Sequence, residues 1–176
     1  GEQAVTPMTY YYLGWCLKQG GLDGAEKAFA DAAAYCPDYC FPNRLEAILA
    51  LQCAISQHPN DAKAPYYLGN LYYDKRQYDL ALNYWEASAK SDGTFPTVWR
   101  NLALAYFNKR NDETLAVECM ERAFQLDTTD ARILMELDQL YKRMQRPHAE
   151  RLAFLQQYPE LVNSRDDLLL EEITLL

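Results

Sequence analysis

The sequence predicts an all-α protein, a right-handed superhelical solenoid built from stacked helix-turn-helix units. The main observation is a recurring spacing. Leu68-Gly69, Tyr72, Ala81 and Trp85 stand at intervals that return, with one residue missing, at Leu13-Gly14, Leu17, Ala25 and Phe29. They return again at Leu102-Ala103, Tyr106, Ala116 and Met120, and once more at Leu137-Asp138 and Tyr141. The second observation is that no stretch alternates as a strand would. The third is composition: 49% of the 176 residues are apolar, enough for a continuous core, yet no apolar run approaches the roughly 20 residues that span a bilayer.

The elements follow in order. A first helix over about 8–19 ends at Gly20-Gly21, and a second over about 23–35 is stopped by Pro37. The pattern then breaks. Residues 38–42 read as irregular, and Asn43 is expected to cap a helix running to about Gln57. That helix carries Ala47, Leu51 and Ala54, the marks of a second helix, with no first helix before it. It is therefore an extra helix, and it explains why Leu13 and Leu68 lie 55 residues apart while Leu68 and Leu102 lie 34 apart. Pairs follow at about 62–75 with 78–91, and at about 96–109 with 113–126, the turn around Asn111 and Asp112 holding one extra residue. Pro65 falls in the first turn of its helix, where proline is tolerated. A weaker pair covers about 130–145 and 147–157, with Pro147 opening its second helix and Pro159 following it. Ser164 is the expected cap of a last helix, RDDLLLEEITLL, over 165–176.

Gly69 would let the neighbouring helix approach closely, Ala81 is small where the helices cross, and Trp85 would plug the gap between units. This arrangement resembles the tetratricopeptide repeat, W-x2-L-G-x2-Y then A-x3-F then P, on a period of about 34 residues. Here Pro65 stands for the leading Trp, Trp85 for the Phe and Gly93 for the Pro. The resemblance implies one array over 1–176, with repeats at about 7–39, 62–95, 96–130 and 131–160, an extra helix at 43–57, and the opening helix of a truncated fifth repeat at about 164–176. A narrower resemblance is carried by CFPNRLEA, APYYLGNLYYDKR, VWRNLALAYFNKR, ELDQLYKR and RDDLLLE. These phrases are similar to the repeat region of large, mostly bacterial proteins whose β-rich N-terminal domain is similar to carbohydrate-active enzyme domains.

In tetratricopeptide arrays the first helix of each pair lines the concave face. The resemblance therefore implies a partner-binding groove of Tyr11, Trp15, Lys63, Tyr66, Asn70, Tyr73, Arg100, Asn101, Leu104, Phe107 and Arg132. Asn70 and Asn101, 31 residues apart, match two asparagines of the carboxylate clamp of some co-chaperones. However, Tyr66 replaces the clamp's first Lys and Glu136 its last basic residue, so only Arg132 keeps the sign. A mixed aromatic and polar groove for a peptide segment or a neighbouring domain is the better expectation. The plainer alternative for Tyr66 and Phe107 is that they pack between repeats.

No catalytic constellation is legible. Asp166-Asp167 and Glu171-Glu172 read as helix-start and surface charge, and the glycines lack the strand context of a phosphate loop. No cofactor or metal is expected: Cys36 and Cys40 flank Pro37 but have no His at ligand spacing, since His58 and His148 are distant. The five cysteines suit structural thiols in a reducing, cytoplasmic setting. A net charge of −8 argues against nucleic acid or an anionic membrane as partner. The expectation is a non-enzymatic protein-interaction module. It is a piece of a longer chain, able to form a homodimer through the apolar side of the last helix, on which Leu168, Leu169, Ile173 and Leu176 fall. The rival is an integral part of a carbohydrate-processing enzyme, packed against an upstream catalytic domain.

Overall fold

The structure, a computed structural model, describes residues 6–37 and 40–176. The readings that fall on residues 1–5 and 38–39 lie outside these. The described residues form eleven α-helices and one π turn, with no strand among them. They fall into two compact units, Gly1–Gly93 and Thr94–Leu176.

The first unit contains α1 (Pro7–Gln19), α2 (Ala25–Ala34), α3 (Glu46–Gln57), α4 (Lys63–Asp74) and α5 (Tyr78–Ser91). The pairs α1–α2 and α4–α5 are helical hairpins, and each is closed at its crossing by the same device. A Cβ on Gly14 would strike the Phe29 ring, and a Cβ on Gly69 would strike the Trp85 indole. Glycine is present because the aromatic ring occupies the volume a side chain would need. Phe29 and Trp85 are buried in return.

The extra helix α3 packs against α1 on one side and α4 on the other, and touches α2 little. It takes the place that a second helix holds between two first helices. Ala47, Ala50, Leu51 and Ala54 form its buried stripe. Asp61, in the turn after it, joins three elements. Its Oδ1 accepts from the amides of Lys63 (2.8 Å) and Ala64 (3.2 Å), and its Oδ2 accepts from the Tyr11 hydroxyl (2.7 Å). This caps α4 and ties α1 to its N-terminus. Burial, and then the neighbouring Asp61 carboxylate, push the Tyr11 phenol well above its usual range. Asn43, expected to cap α3, does not: the helix begins at Glu46 with no side-chain cap bond.

The second unit contains α6 (Pro96–Ala105), a π turn (Tyr106–Arg110), α7 (Glu113–Leu126), α8 (Ala131–Arg143), α9 (His148–Leu155), α10 (Pro159–Asn163) and α11 (Asp166–Leu175). Asp112 and Asp130 cap α7 and α8 through their carboxylates. The short α10 was not expected, because its five residues are too few to show a period. Ser164 closes α10 through a hydroxyl bond to the Leu161 carbonyl (2.7 Å) and does not cap α11.

One closure recurs at the end of first helices. The amides of Leu22, Gln77 and Arg146 donate to the carbonyls of Leu17, Tyr72 and Tyr141, across left-handed Gly21, Arg76 and Gln145. This is a Schellman motif at the same repeat position each time. In the hairpin with the extra residue the bond persists, from Asp112 to Tyr106 across left-handed Asn111. The insertion is absorbed as the π turn, a common fate of single-residue insertions in helices.

The crossing device changes in the second unit. Ala103 and Met120, both buried, replace the glycine and aromatic in α6–α7. In α8–α9 the small residue becomes Asp138, 1% exposed, paired with Arg151, 2% exposed. The guanidinium donates through Nε (3.0 Å) and Nη2 (2.6 Å) to the two Asp138 oxygens. Nη2 also reaches Glu171 of α11 (2.7 Å), which accepts from Lys142 of α8 (2.8 Å) as well. A buried ionic cluster thus holds three helices where an apolar plug holds two elsewhere.

Candidate partner-binding surface

In the first unit two of the expected groove residues are core residues. Tyr11 is wholly buried, its ring edge-on to Tyr67 at 5.9 Å and its hydroxyl held by Asp61. Tyr66 is 5% exposed and packs on Tyr67 at 5.4 Å. Both rings pack on Tyr67, and Asp61 takes the Tyr11 hydroxyl, so these side chains fill the interior of the first unit. Asn70 is half-buried and accepts from the Trp85 indole N–H (3.0 Å), so it also serves the hairpin crossing. Tyr73 lies between Tyr78 and Trp85, with ring centroids 5.1 and 5.3 Å away. Lys63 donates to the Tyr35 carbonyl, and Trp15 is half-buried on α1.

In the second unit, Arg100 is committed internally. Its Nε donates to Glu136 Oε2 at 2.6 Å, and its Nη2 donates to Oε1 of the same carboxylate. Arg132, exposed on α8, reaches Glu136 Oε1 at 3.2 Å. Glu136, at the place of the clamp's last basic residue, therefore holds Arg100 in a bidentate pair and also contacts Arg132. The geometry is unlike a clamp holding cations ready for a carboxylate. Asn101 is half-buried on α6.

Leu104 and Phe107 are brought together with residues the sequence reading did not include. With Asn108, Met135, Glu136, Gln139, Leu140 and Arg143 they line a groove of about 150 Å³ between the end of α6 and α8. Phe107 lies on the π turn. Arg143 stacks over its ring, with the guanidinium carbon 5.1 Å from the centroid. Met135, Gln139 and Arg143 follow at helical spacing along one face of α8, which could have revealed them. Larger clefts, of about 280 Å³ beside Met8, Tyr12 and Phe41 and about 380 Å³ between Thr128 and Leu161, are lined mostly by residues between helices, with Met8 and Tyr12 coming from α1.

On α11, Leu168 and Leu175 are buried, while Leu170, Ile173 and Leu176 are exposed. Among the described residues no group of three or more His, Cys, Asp or Glu is placed to hold a metal ion, and no disulfide forms. No described helix is long and apolar enough to cross a membrane.

No protein-family model matches the chain. Among curated proteins it is 27% identical over 151 residues to BBSome complex member BBS4 from Bos taurus, covering 78% of this chain and 29% of that protein. The chain thus spans less than a third of that relative's length. Among solved structures, residues 41 to the end of MamA from Desulfovibrio magneticus RS-1 match with a TM-score of 0.56 and 21% identity, over 91% of this chain and 77% of that one. The APC/C hetero-tetramer Cut9-Hcn1 matches with a TM-score of 0.59 and 16% identity, over 97% of this chain and 30% of that one. The Arabidopsis OM64 TPR domain matches with a TM-score of 0.53 and 18% identity, over 65% of this chain and 93% of that domain. The chain has the tetratricopeptide fold.

Proposed function

We propose that the protein is a non-enzymatic interaction module that binds a peptide segment of a protein partner in the groove between the α6 end and α8. The observation that carries this reading is the half-exposed apolar pair Leu104 and Phe107 facing Met135 across that groove. Core duty would have buried them fully, as it does Tyr11 and Tyr66. The groove has room for one apolar side chain, and its walls are helices already ordered, so binding orders mainly the partner. The names of similar proteins point the same way: one is a complex member and another forms a hetero-tetramer.

The test is selection of a random peptide library, displayed without free carboxyl termini, on the whole chain. Recovered peptides should lose at least about tenfold in affinity on Phe107→Ala, the loss of an aromatic hot spot. The melting temperature should change little, because Phe107 is only half-buried. Peptides that bind Phe107→Ala as well as the native chain would place the binding surface elsewhere.

We further propose self-association through α11, on which Leu170, Ile173 and Leu176 are exposed. Light scattering should give a mass that rises with concentration and falls on Ile173→Lys. A constant monomer mass across the millimolar range would refute it.

A further inference from the structure

We propose that the groove selects an acidic-apolar motif, in which the buried apolar side chain of the partner is accompanied within a few residues by Asp or Glu that meets Arg143. This rests on the peptide-binding reading and adds the chemistry of the ligand.

Arg100 is matched by Glu136, and Arg132 leans on the same carboxylate. Lys142, next to Arg143 in sequence, pairs with Glu171. Arg151 is shared between Asp138 and Glu171. Arg143 differs from all of these. It is exposed, and among the described residues it pairs with no carboxylate; its one interaction is with the face of Phe107. A cation over an aromatic ring keeps its N–H donors pointing outward, so a guanidinium held there is oriented for an incoming carboxylate. Phe107 also forms part of the apolar wall of the groove. The apolar contact and the cation are therefore joined at one ring.

The π turn makes this arrangement. One extra residue between Tyr106 and Asn111 under-winds the end of the first helix while its closing bond to Asp112 is kept. Phe107 and Asn108 lie within that widened turn, on the groove, and Arg143 comes from the last turn of the next first helix. A partner carboxylate here need not be a chain terminus, because the cation stands at the rim and the groove interior is already neutralised by the Arg100–Glu136 pair.

The same library, again lacking free carboxyl termini, is selected in parallel on the native chain, on Arg143→Gln and on Arg143→Glu. Native selection should enrich Asp or Glu beside an apolar residue, and those peptides should weaken about tenfold or more on Arg143→Gln, with an affinity that falls as salt rises. Selection on Arg143→Glu should enrich Lys or Arg at the same place. Native peptides that lose affinity on Phe107→Ala but show no acidic enrichment and no response to Arg143→Gln would overturn this inference and leave the groove reading standing. Peptides indifferent to Phe107→Ala, or no enrichment over a selection without protein, would overturn both.

Discussion

Asp138→Ala is expected to be among the most damaging single substitutions in this protein, at about 3–5 kcal/mol, because it leaves the Arg151 guanidinium buried without its bidentate partner. For a chain of this size that is a fall in melting temperature of roughly 10 °C. Replacing both members by apolar residues, Asp138→Leu with Arg151→Met, should cost less than Asp138→Ala alone, since it removes the uncompensated charge together with the pair. Glu171 gives the same cluster a pH signature. Burial opposes its ionisation, but hydrogen bonds from Lys142 and Arg151 outweigh that and hold its carboxyl below the usual range. A folded-state value below the unfolded one means stability that is fully present above about pH 4 and is lost as pH falls further. Glu171→Gln should therefore flatten the acid limb of the stability curve. An Asp138→Ala chain that melts within about 2 °C of the native one would show that the cluster is decoration.

Trp85→Ala should cost a comparable amount, about 3–5 kcal/mol, by emptying the crossing of α4 and α5. The reverse error at the same place, Gly69→Ala, should cost about 1–3 kcal/mol by driving a methyl group into the indole. The two sites share one volume, so they should not be additive. Gly69→Ala is expected to be milder in a Trp85→Phe background, where the smaller ring can give way. Equal cost of Gly69→Ala in both backgrounds, read from denaturant midpoints, would mean that the glycine is required for some reason other than the ring.

The crossing of α4 and α5 is also legible in the sequence, whereas the Asp138–Arg151 crossing is not. The spacing of Leu68-Gly69 to Trp85 is local and periodic, so it reports a hairpin directly, and the hairpins α1–α2, α4–α5 and α6–α7 appear where the pattern puts them. Proline and glycine stops gave most helix ends, because both act through the backbone of the residue itself. Asn43 and Ser164 misled because a capping side chain needs a free amide at the right distance, which the local sequence does not reveal.

What the sequence by itself determined is the all-α repeat fold, since helical period and small-to-large crossings are written within some thirty residues. What only the tertiary structure decided is which polar and aromatic side chains are spent inside the protein. Tyr11 and Tyr66 fall on first helices, yet both are buried against Tyr67, and Asp61, 50 residues from Tyr11, holds its hydroxyl. Glu136 could be read as a lost cation until Arg100, 36 residues away, was found holding it in a bidentate pair. Arg143 is set apart by its place over the Phe107 ring, 36 residues away, and by the absence of a carboxylate partner among the described residues. Charge compensation and burial depend on neighbours distant in the chain, and spacing along the chain carries no record of them.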